Sequence, residues 1–299
     1  MKKALVLYSG GLDSRLAVRI LKSQGFNVTA LYFALPFGCG CCRVSCNFGF
    51  TQKEGVKLDI LDVTKGKLFE EYLNILKNPK FGRGVSFNPC KDCKIFMFKK
   101  AKEYASKKGI EVIATGEVVG QRPMSQIKRA MKKIDTEIGF EILRPLSAKL
   151  LPKTCYEKKG LVKREDLYDF KGRNRKGQMK LAEDFGIKYP NPGGGCFLCE
   201  KAHYKRLKVL LERNLINEKT LHLTMIGRHF IIDNSWFIVA RNESECIVLD
   251  KLKNIVIGGP GKPTVYFHDD KKEKAIKLQN AYSKGANEKI KLEMEKYKL

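Results

Sequence analysis

What most limits the fold of this chain is the run Tyr8–Ser9–Gly10–Gly11–Leu12–Asp13–Ser14. It follows a short apolar segment, Ala4–Tyr8, and leads into a helix-periodic one, Asp13–Gln24. A strand, a two-glycine loop and a helix start in that order turn loop and helix N–H groups toward one point, where an anion such as a phosphate can be held. Gly10 and Gly11 accept positive φ and let a ligand approach the backbone closely. Ser9 and Ser14 add hydroxyl donors, while Asp13 either caps the helix or helps to hold magnesium. An ordinary strand-to-helix turn uses the same residue types. The complete pattern directly after the first strand is what points to a phosphate. The lysine-bearing loop G-x-x-x-x-G-K-[ST] is absent.

Ser9–Gly10–Gly11–Leu12–Asp13–Ser14 resembles the SGGxDS signature of the PP-loop ATP pyrophosphatases. That family includes tRNA thiolases, lysidine synthetase, GMP synthetase and NAD synthetase. The resemblance implies cleavage of ATP between its α- and β-phosphates, with AMP left on a substrate oxygen. It also implies that Ser9, Gly10, Gly11, Asp13 and Ser14, together with Phe33 and Gly116, bind ATP and Mg2+, and that Asp13 is catalytic.

The first half of the chain alternates between strand and helix patterns. Strands are expected at Ala4–Tyr8, Asn27–Phe33, Leu58–Asp62, Ile110–Thr115 and Ile142–Leu146, with helices at Asp13–Gln24, Leu68–Leu76 and Lys94–Lys108. Short apolar strands joined by helical crossovers predict an α/β fold, a doubly wound parallel sheet covered on both faces. Residues 151–200 read as a basic linker with a helix near Arg175–Phe185. Residues 201–299 read as a smaller α+β domain: a helix to about Arg213, strands at Leu221–Ile226, His229–Asp233, Trp236–Arg241 and Val265–Phe267, and a charged helix from Lys271. This divides the chain into a PP-loop catalytic domain (1–150), a basic segment carrying cysteines (151–200) and an accessory domain (201–299) that resembles a small RNA-associated domain of ribosome-rescue proteins.

Ten cysteines in a chain with no visible targeting segment are better read as metal ligands, sulfur carriers or core residues than as disulfides. Cys90 and Cys93 form a C-x-x-C pair before a helix, where the helix dipole and Lys91, Lys94 and Arg83 favour thiolates. Cys196 and Cys199 form a second pair. Two such pairs make a zinc site, or three of the four sulfurs hold an iron–sulfur cluster and leave one iron open. Cys39, Cys41, Cys42 and Cys46, four cysteines within eight residues, suggest a further zinc or cluster site or a redox-active loop. Cys155 and Cys246 stand alone and read as small buried residues.

The order Asn88–Pro89–Cys90–x–x–Cys93, Ala114–Thr115–Gly116, Leu143–Arg144–Pro145–Leu146 and Gly195–Cys196–Phe197 resembles that of the tRNA 2-thiouridylases over roughly residues 1–200. The resemblance implies that Cys93 and Cys196 are the functional cysteines. Cys90, as a third sulfur, resembles the sulfurtransferases in which three cysteines hold a [4Fe-4S] cluster. Two departures stand out. Gly116–Glu117–Val118–Val119–Gly120–Gln121–Arg122 replaces the usual Gly-His, and Cys199 has no usual counterpart, which makes it a fourth ligand or a sulfur carrier.

Charge supports a nucleic-acid partner. Lys+Arg 58 against Asp+Glu 32 give a net +26 and a pI near 9.6. Lysine enrichment alone solvates a surface, but here the acids lag far behind, and phosphate neutralisation is the natural use of such an excess. Basic runs at Lys91–Lys108, Arg122–Lys133 and Lys163–Lys180 flank the ATP and cysteine motifs. Arg228–His229–Phe230 and Trp236–Phe237 offer either stacking aromatics or strand core. The apolar run after Lys3 ends at Ser9, too short for a signal peptide, and no stretch reaches membrane-spanning length, so a cytoplasmic enzyme is expected. Together these features predict a tRNA sulfurtransferase fed by sulfide or a persulfide donor, as a monomer or a homodimer. A PP-loop ligase acting with ammonia on a small molecule, and a zinc-stapled RNA-binding protein without activity, are the rival readings.

Overall fold

The computed structural model describes residues 2–38, 44–191 and 196–299, with side chains at 44–48 excepted. The chain forms two compact units, Met1–Lys201 and Ala202–Leu299. Among the described residues no helix is long and apolar enough to cross a membrane.

The first unit is built on four parallel strands, β1 (Lys3–Leu7), β2 (Asn27–Ala34), β3 (Lys57–Asp62) and β4 (Val112–Thr115), in the order β3-β2-β1-β4. β1 lies between neighbours and has Ala4, Leu5 and Val6 fully buried, as an uninterrupted apolar strand in a two-sided parallel sheet requires. Around the sheet run α1 (Leu12–Ser23), α2 (Val44–Lys53), α3 (Gly66–Lys77), α4 (Cys90–Lys107), α5 (Lys128–Ile138), α6 (Cys155–Lys158) and α7 (Lys176–Asp184). α1 buries Leu12, Leu16, Ala17, Ile20 and Leu21 against Ala4, Val6 and Ala30 of the sheet, a spacing of three and four that lines one helix face.

The expected fifth strand shrinks to one parallel bridge, Ala114 to Leu143. Leu143 completes it, accepting from Thr115 N–H at 3.0 Å and donating to Ile113 O at 2.9 Å. Pro145 has no N–H with which to extend the ladder, and its carbonyl accepts from Tyr168 instead. α2 and α5 fall where the sequence pattern predicts no helix. The α5 segment reads in sequence only as a basic run, yet it buries Ala130, Met131, Ile134 and Ile138.

The second unit holds an antiparallel sheet of β5 (Arg228–Ile232), β6 (Ser235–Val239), β7 (Ile255–Val256) and β8 (Val265–Phe267), in the order β5-β6-β8-β7. Asp233 (φ 44°) and Asn234 (φ 65°) close the β5–β6 hairpin, and both residue types tolerate the left-handed region such a two-residue turn needs. The helices are α8 (Tyr204–Glu212), α9 (Glu243–Leu249), α10 (Lys272–Ala281) and α11 (Glu288–Glu295). Phe230, Phe237, Val265 and Phe267 pack on Ala275, Leu278 and Ala281 of α10. The strand expected at Leu221–Ile226 is instead a 3-10 turn, Leu221–Met225. The Thr224 hydroxyl donates back to Leu221 O at 2.7 Å, which stabilises the turn over an extended segment.

The aromatics considered for base stacking are core. His229, Phe230, Trp236 and Phe237 are all 1% exposed or less. Trp236 Nε1 donates to His229 Nδ1 at 3.0 Å, so the ring carries its proton on Nε2, which donates to Ile226 O at 2.7 Å. A second proton on Nδ1 would break the tryptophan bond, and burial beside Arg206 already holds this imidazole well below the ordinary histidine range. The unfolded chain therefore binds a proton that the folded unit refuses. Stability from this site is full above about pH 6.5 and falls as pH drops below it, by about 1.4 kcal/mol per unit. Chemical denaturation followed by Trp236 fluorescence between pH 5 and 7 is expected to show this loss, with a flatter profile in H229Q.

Candidate functional site

Carboxyl ends of parallel strands form the crevice in which open α/β sheets bind ligands, at the point where strand order reverses. Here that point is β1, with β2 on one side and β4 on the other. The loop after β1 and the residues after β4 meet there. Gly10 has φ 79°, the left-handed conformation the loop needs. Ser14 Oγ donates to Gly11 O at 2.9 Å and receives Ser9 N–H at 3.3 Å, which closes the loop on the first turn of α1. Arg15, 5% exposed, braces the loop from behind: Nε donates to Gly10 O at 2.8 Å and Nη1 to Lys188 O at 2.6 Å, and the guanidinium lies 4.9 Å from the Phe50 ring centre.

Gly116 packs flat on this loop. A Cβ there would lie 2.5 Å from the Asp13 carbonyl carbon and oxygen and 2.6 Å from Ser14 N. Phe33, near the end of β2, is 9% exposed, on the strand next to β1. The Asp13 carboxylate takes Gln121 Nε2 at 2.9 Å and stands 3.7 Å from Arg175. Its Oδ1 is buried with no hydrogen-bond partner among the described residues. Burial raises the Asp13 pKa against the opposing pull of Gln121, Arg175, Arg122 and Gln178. A carboxylate in that condition, with one oxygen unanswered, suits a divalent cation.

The two C-x-x-C pairs come together within the first unit. Cys90 and Cys93 occupy the first turn of α4, three residues apart and so on one helix face. Asn88 Nδ2 donates to Cys90 Sγ at 3.1 Å, and Tyr72 Oη lies 3.6 Å from Cys93 Sγ. Cys196 Sγ donates to Phe37 O at 3.0 Å, and the Ser86 hydroxyl donates to Cys199 O at 3.0 Å. The side chains feel one another: Cys90 and Cys199 both raise the thiol pKa of Cys93, and Cys93, Cys199 and Cys90 raise that of Cys196. All six described cysteines are free thiols.

The expectation of a thiolate favoured by local cations is overturned at Cys93. Burial pushes Cys93 up to about 11 and Cys196 up to about 12. Lys94, the nearest cation to Cys93, is held 3.2 Å from the buried Glu117, while Arg83 is turned to the Leu76 and Lys77 carbonyls. Four soft sulfurs in one neighbourhood, with the ionisation of Cys93 and Cys196 opposed by burial, are a donor set suited to a soft cation. Among the described residues, however, no three His, Cys, Asp or Glu side chains stand arranged as a ready metal cage. Cys39, Cys41 and Cys42 lie outside the described residues, as does the side chain of Cys46. Cys155 and Cys246 are half-buried and not core as expected. Glu141 accepts from Cys155 N–H, and Cys246 Sγ accepts from Thr264 N–H at 3.5 Å.

Glu117 fills the position where the sequence departs from the expected Gly-His. It is 3% exposed and bonded to Arg144 Nε at 3.0 Å, and Arg144 (4% exposed) in turn grips Asp135 at 2.7 Å and 2.9 Å. Lys94 and Arg144 hold the Glu117 carboxyl below its usual range despite burial. The network ties the residue after β4 to α5, to the Leu143 bridge and, through Lys94, to the cysteine helix. The sequence marks Glu117 and Gln121 only as departures from the expected motif and gives neither a partner, because the pairings Gln121–Asp13, Glu117–Arg144 and Lys94–Glu117 join residues far apart in the chain.

Two outcomes follow. G116A is expected to destabilise the first unit by about 1–3 kcal/mol, as an overpacked contact against backbone does, with loss of nucleotide binding by calorimetry. E117A is expected to cost about 1–3 kcal/mol in denaturant unfolding, because it leaves the buried Arg144 Nε unpaired while Asp135 still holds the other guanidinium nitrogens, whereas a solvated pair such as Lys277–Glu293 is expected to be near neutral on removal.

Residues 2–138 match the family model of the tRNA methyl transferase HUP domain. The tRNA-specific 2-thiouridylase MnmA of Nostoc sp. is 33% identical over 124 residues, 39% of this chain and 34% of that protein. The 2-thiouridylases of Helicobacter pylori and Synechocystis sp. are 27% and 30% identical over 175 and 166 residues, covering 54% and 52% of this chain and 48% and 45% of theirs. The chain thus spans between a third and a half of the length of these relatives. Among solved structures, a predicted subunit of tRNA methyltransferase from Methanocaldococcus jannaschii superposes with TM-score 0.40 at 16% identity, over 73% of this chain and 91% of the other. A 4-thiouridine synthetase solved in complex with RNA and bound ATP gives 0.37 at 17%, over 74% and 53%.

Proposed function

We propose that this chain, whose residues 2–138 match the family model of the tRNA methyl transferase HUP domain and are similar to part of the tRNA 2-thiouridylases, is an ATP-dependent tRNA sulfurtransferase. The observation that carries the reading is the presence, in one unit, of a glycine-loop anion site at the carboxyl end of β1 and a cluster of four free cysteines, linked by the buried Glu117 network.

In this reading Ser9, Gly10, Gly11 and Ser14 take the phosphates of ATP, and Asp13 holds magnesium with its unpartnered oxygen. A uracil carbonyl oxygen attacks the α-phosphate: the O–P bond forms, the bond to the β-phosphate breaks, and pyrophosphate leaves. The base carbon then bears AMP as a leaving group. Sulfur delivered at Cys93 and Cys196 attacks that carbon, and AMP departs with the electron pair of the C–O bond. The loop N–H groups matter most in the first step, where charge develops on the phosphoryl oxygens. The base has to leave its stack to reach both centres.

Cys90, Cys93 and Cys196 are the sulfurs that would hold a [4Fe-4S] cluster, with Cys199 as a fourth ligand or sulfur carrier. Such a cluster, when bound, supplies a Lewis-acidic iron that accepts an incoming sulfide. The protein's own contribution is to keep three of these sulfurs half-buried, so that a reactive sulfur species is partly shielded from water. The basic runs on α4, the β4–α5 segment and the α7 segment are the surfaces that would take tRNA phosphates and set its register without reading bases.

The test is anaerobic incubation of the chain with tRNA, ATP and inorganic sulfide, with nucleosides read by mass spectrometry and AMP by chromatography. C93A and C196A are expected to abolish thionucleoside formation while ATP binding stays within about threefold of the parent. Iron and sulfide analysis of the anaerobic protein is expected to find a cluster that is lost in C90A, C93A and C196A. Full thiolation by either single variant would remove these cysteines from the chemistry. AMP formation without RNA would favour a small-molecule ligase.

A further inference from the structure

A cleft of about 1080 Å³ opens in the second unit, between the connection from β6 to α9, the turn between β7 and β8, and the segment from the end of α10 into α11. Pockets for small molecules are predominantly apolar and enclose about 300–1,000 Å³. This cleft is larger, and charged and polar side chains with turn glycines make up most of its lining. An extended polar ligand suits such a surface better than a compact apolar one.

One wall is built rigidly. Gly259 N–H donates to Lys262 O at 3.0 Å and Lys262 N–H to Gly259 O at 2.8 Å, which closes a tight turn. Pro260 at its second position and Gly261 at its third, with φ 72°, are the residues a type II turn demands. Gly261 O accepts from Lys284 N–H at 2.7 Å, and the Gln279 amide of α10 donates to Ile257 O at 2.8 Å and to Pro263 O at 3.0 Å. Both legs of the turn are thereby clasped. Lys262 extends from backbone that is already ordered, which lowers the entropic cost of a contact made there.

Charge in the cleft is uneven. Arg228, Arg241, Lys262, Lys291 and Lys298 line it, against the carboxylates of Glu243, Glu288 and Glu295. Arg241 is committed to Glu245 through Nε at 2.9 Å, and Glu295 is taken by Lys298 at 2.9 Å and by the Tyr282 hydroxyl. Glu243 and Glu288 stand in the first turns of α9 and α11, where helix N-termini favour negative charge. Among the described residues no carboxylate lies within ion-pair distance of Arg228, Lys262 or Lys291. The two lysines are exposed, and the Arg228 guanidinium lies 5.3 Å from the Tyr282 ring centre. A guanidinium set in this way keeps the planar fork that takes phosphate oxygens in pairs.

We propose that this cleft holds the sugar–phosphate backbone of the tRNA, with Arg228, Lys262 and Lys291 as its phosphate contacts. The assignment rests on the tRNA sulfurtransferase reading and gives the second unit a substrate-binding role of its own. Contacts of this kind fix the register of an RNA without reading its bases. Each phosphate they neutralise releases counterions, so binding through the cleft weakens as salt rises.

The experiment measures the Kd of the full chain for a tRNA transcript between 0.05 and about 0.3 M salt, in the parent, R228Q, K262A, K291A and K262E/K291E. Each single variant is expected to lower the slope of log affinity against log salt by about 0.7–0.9, and to weaken binding about 5–8-fold at 0.1 M salt, the loss that such a slope implies. K262E/K291E is expected to lose at least the two contacts together, with ATP binding unchanged. K277A, a lysine outside the cleft and paired with Glu293, is expected to keep the parent slope. Trp236 fluorescence checks that the second unit is folded in every variant, and the exposed lysines keep the test open if R228Q fails that check. An unchanged slope and Kd in K262E/K291E would overturn the assignment, as would an equal loss in K277A, which would reduce the cleft to general surface charge. If the parent binds tRNA and forms AMP while the cleft variants match it, the cleft assignment alone fails. If the parent binds no tRNA, the sulfurtransferase reading fails and this assignment with it.

Discussion

Everything in the first unit depends on the parallel pairing of β1 with β4, in which Leu7 is opposite Thr115. That register delivers the glycine loop and Gly116 to the same spot, so closely that a single added carbon would meet backbone at 2.5 Å. The loop is therefore shaped by a strand far away in the sequence, and not by its own glycines alone. Thr115 extends the arrangement: its hydroxyl accepts from Glu117 N–H at 2.9 Å and turns the chain so that Glu117 enters the interior. There the carboxylate pairs with Arg144 and Lys94, and the cysteine helix is tied to the strand that packs on the glycine loop.

Burying such a network is expensive, and two well-packed apolar residues in its place could hold the fold equally well. What the ionic version adds is direction. Arg144 reaches Glu117 and Asp135 at once through separate nitrogens, which fixes the relative position of the β4 end and α5 more narrowly than an apolar contact does. The consequence at the cysteines runs against intuition. A lysine next to Cys93 in sequence does little for its thiolate, because its ammonium is already committed to Glu117. Burial then dominates, and the Cys93 and Cys196 thiols stay protonated until a cation or an electrophilic sulfur arrives.

Much of this was legible in the residues, for a physical reason. Features encoded by neighbours, such as the strand–loop–helix of residues 3–23, the C-x-x-C start of α4 and the Asp-Asn turn of the β5–β6 hairpin, need only local sterics and periodicity. Features encoded at a distance stayed hidden. Gln121 looks like loop polarity in the sequence, yet its amide is bonded to Asp13, and Arg175 looks like one more charge in a basic run. The expected strands at Ile142–Leu146 and Leu221–Ile226 failed where a proline and a threonine offered the backbone other partners. His229 and Trp236, candidate stacking groups by residue type, satisfy each other inside a core.

The central claim is that the base oxygen, and not water or a small acid, takes the adenylyl group. The most direct measurement is the fate of that oxygen. A tRNA carrying oxygen-18 at its uracil carbonyls, turned over with ATP and inorganic sulfide, should yield AMP with one heavy oxygen for each thionucleoside formed. Unlabelled AMP accompanied by thionucleoside, with the heavy oxygen released to water, would contradict adenylation of the base and with it the two-step account of this site.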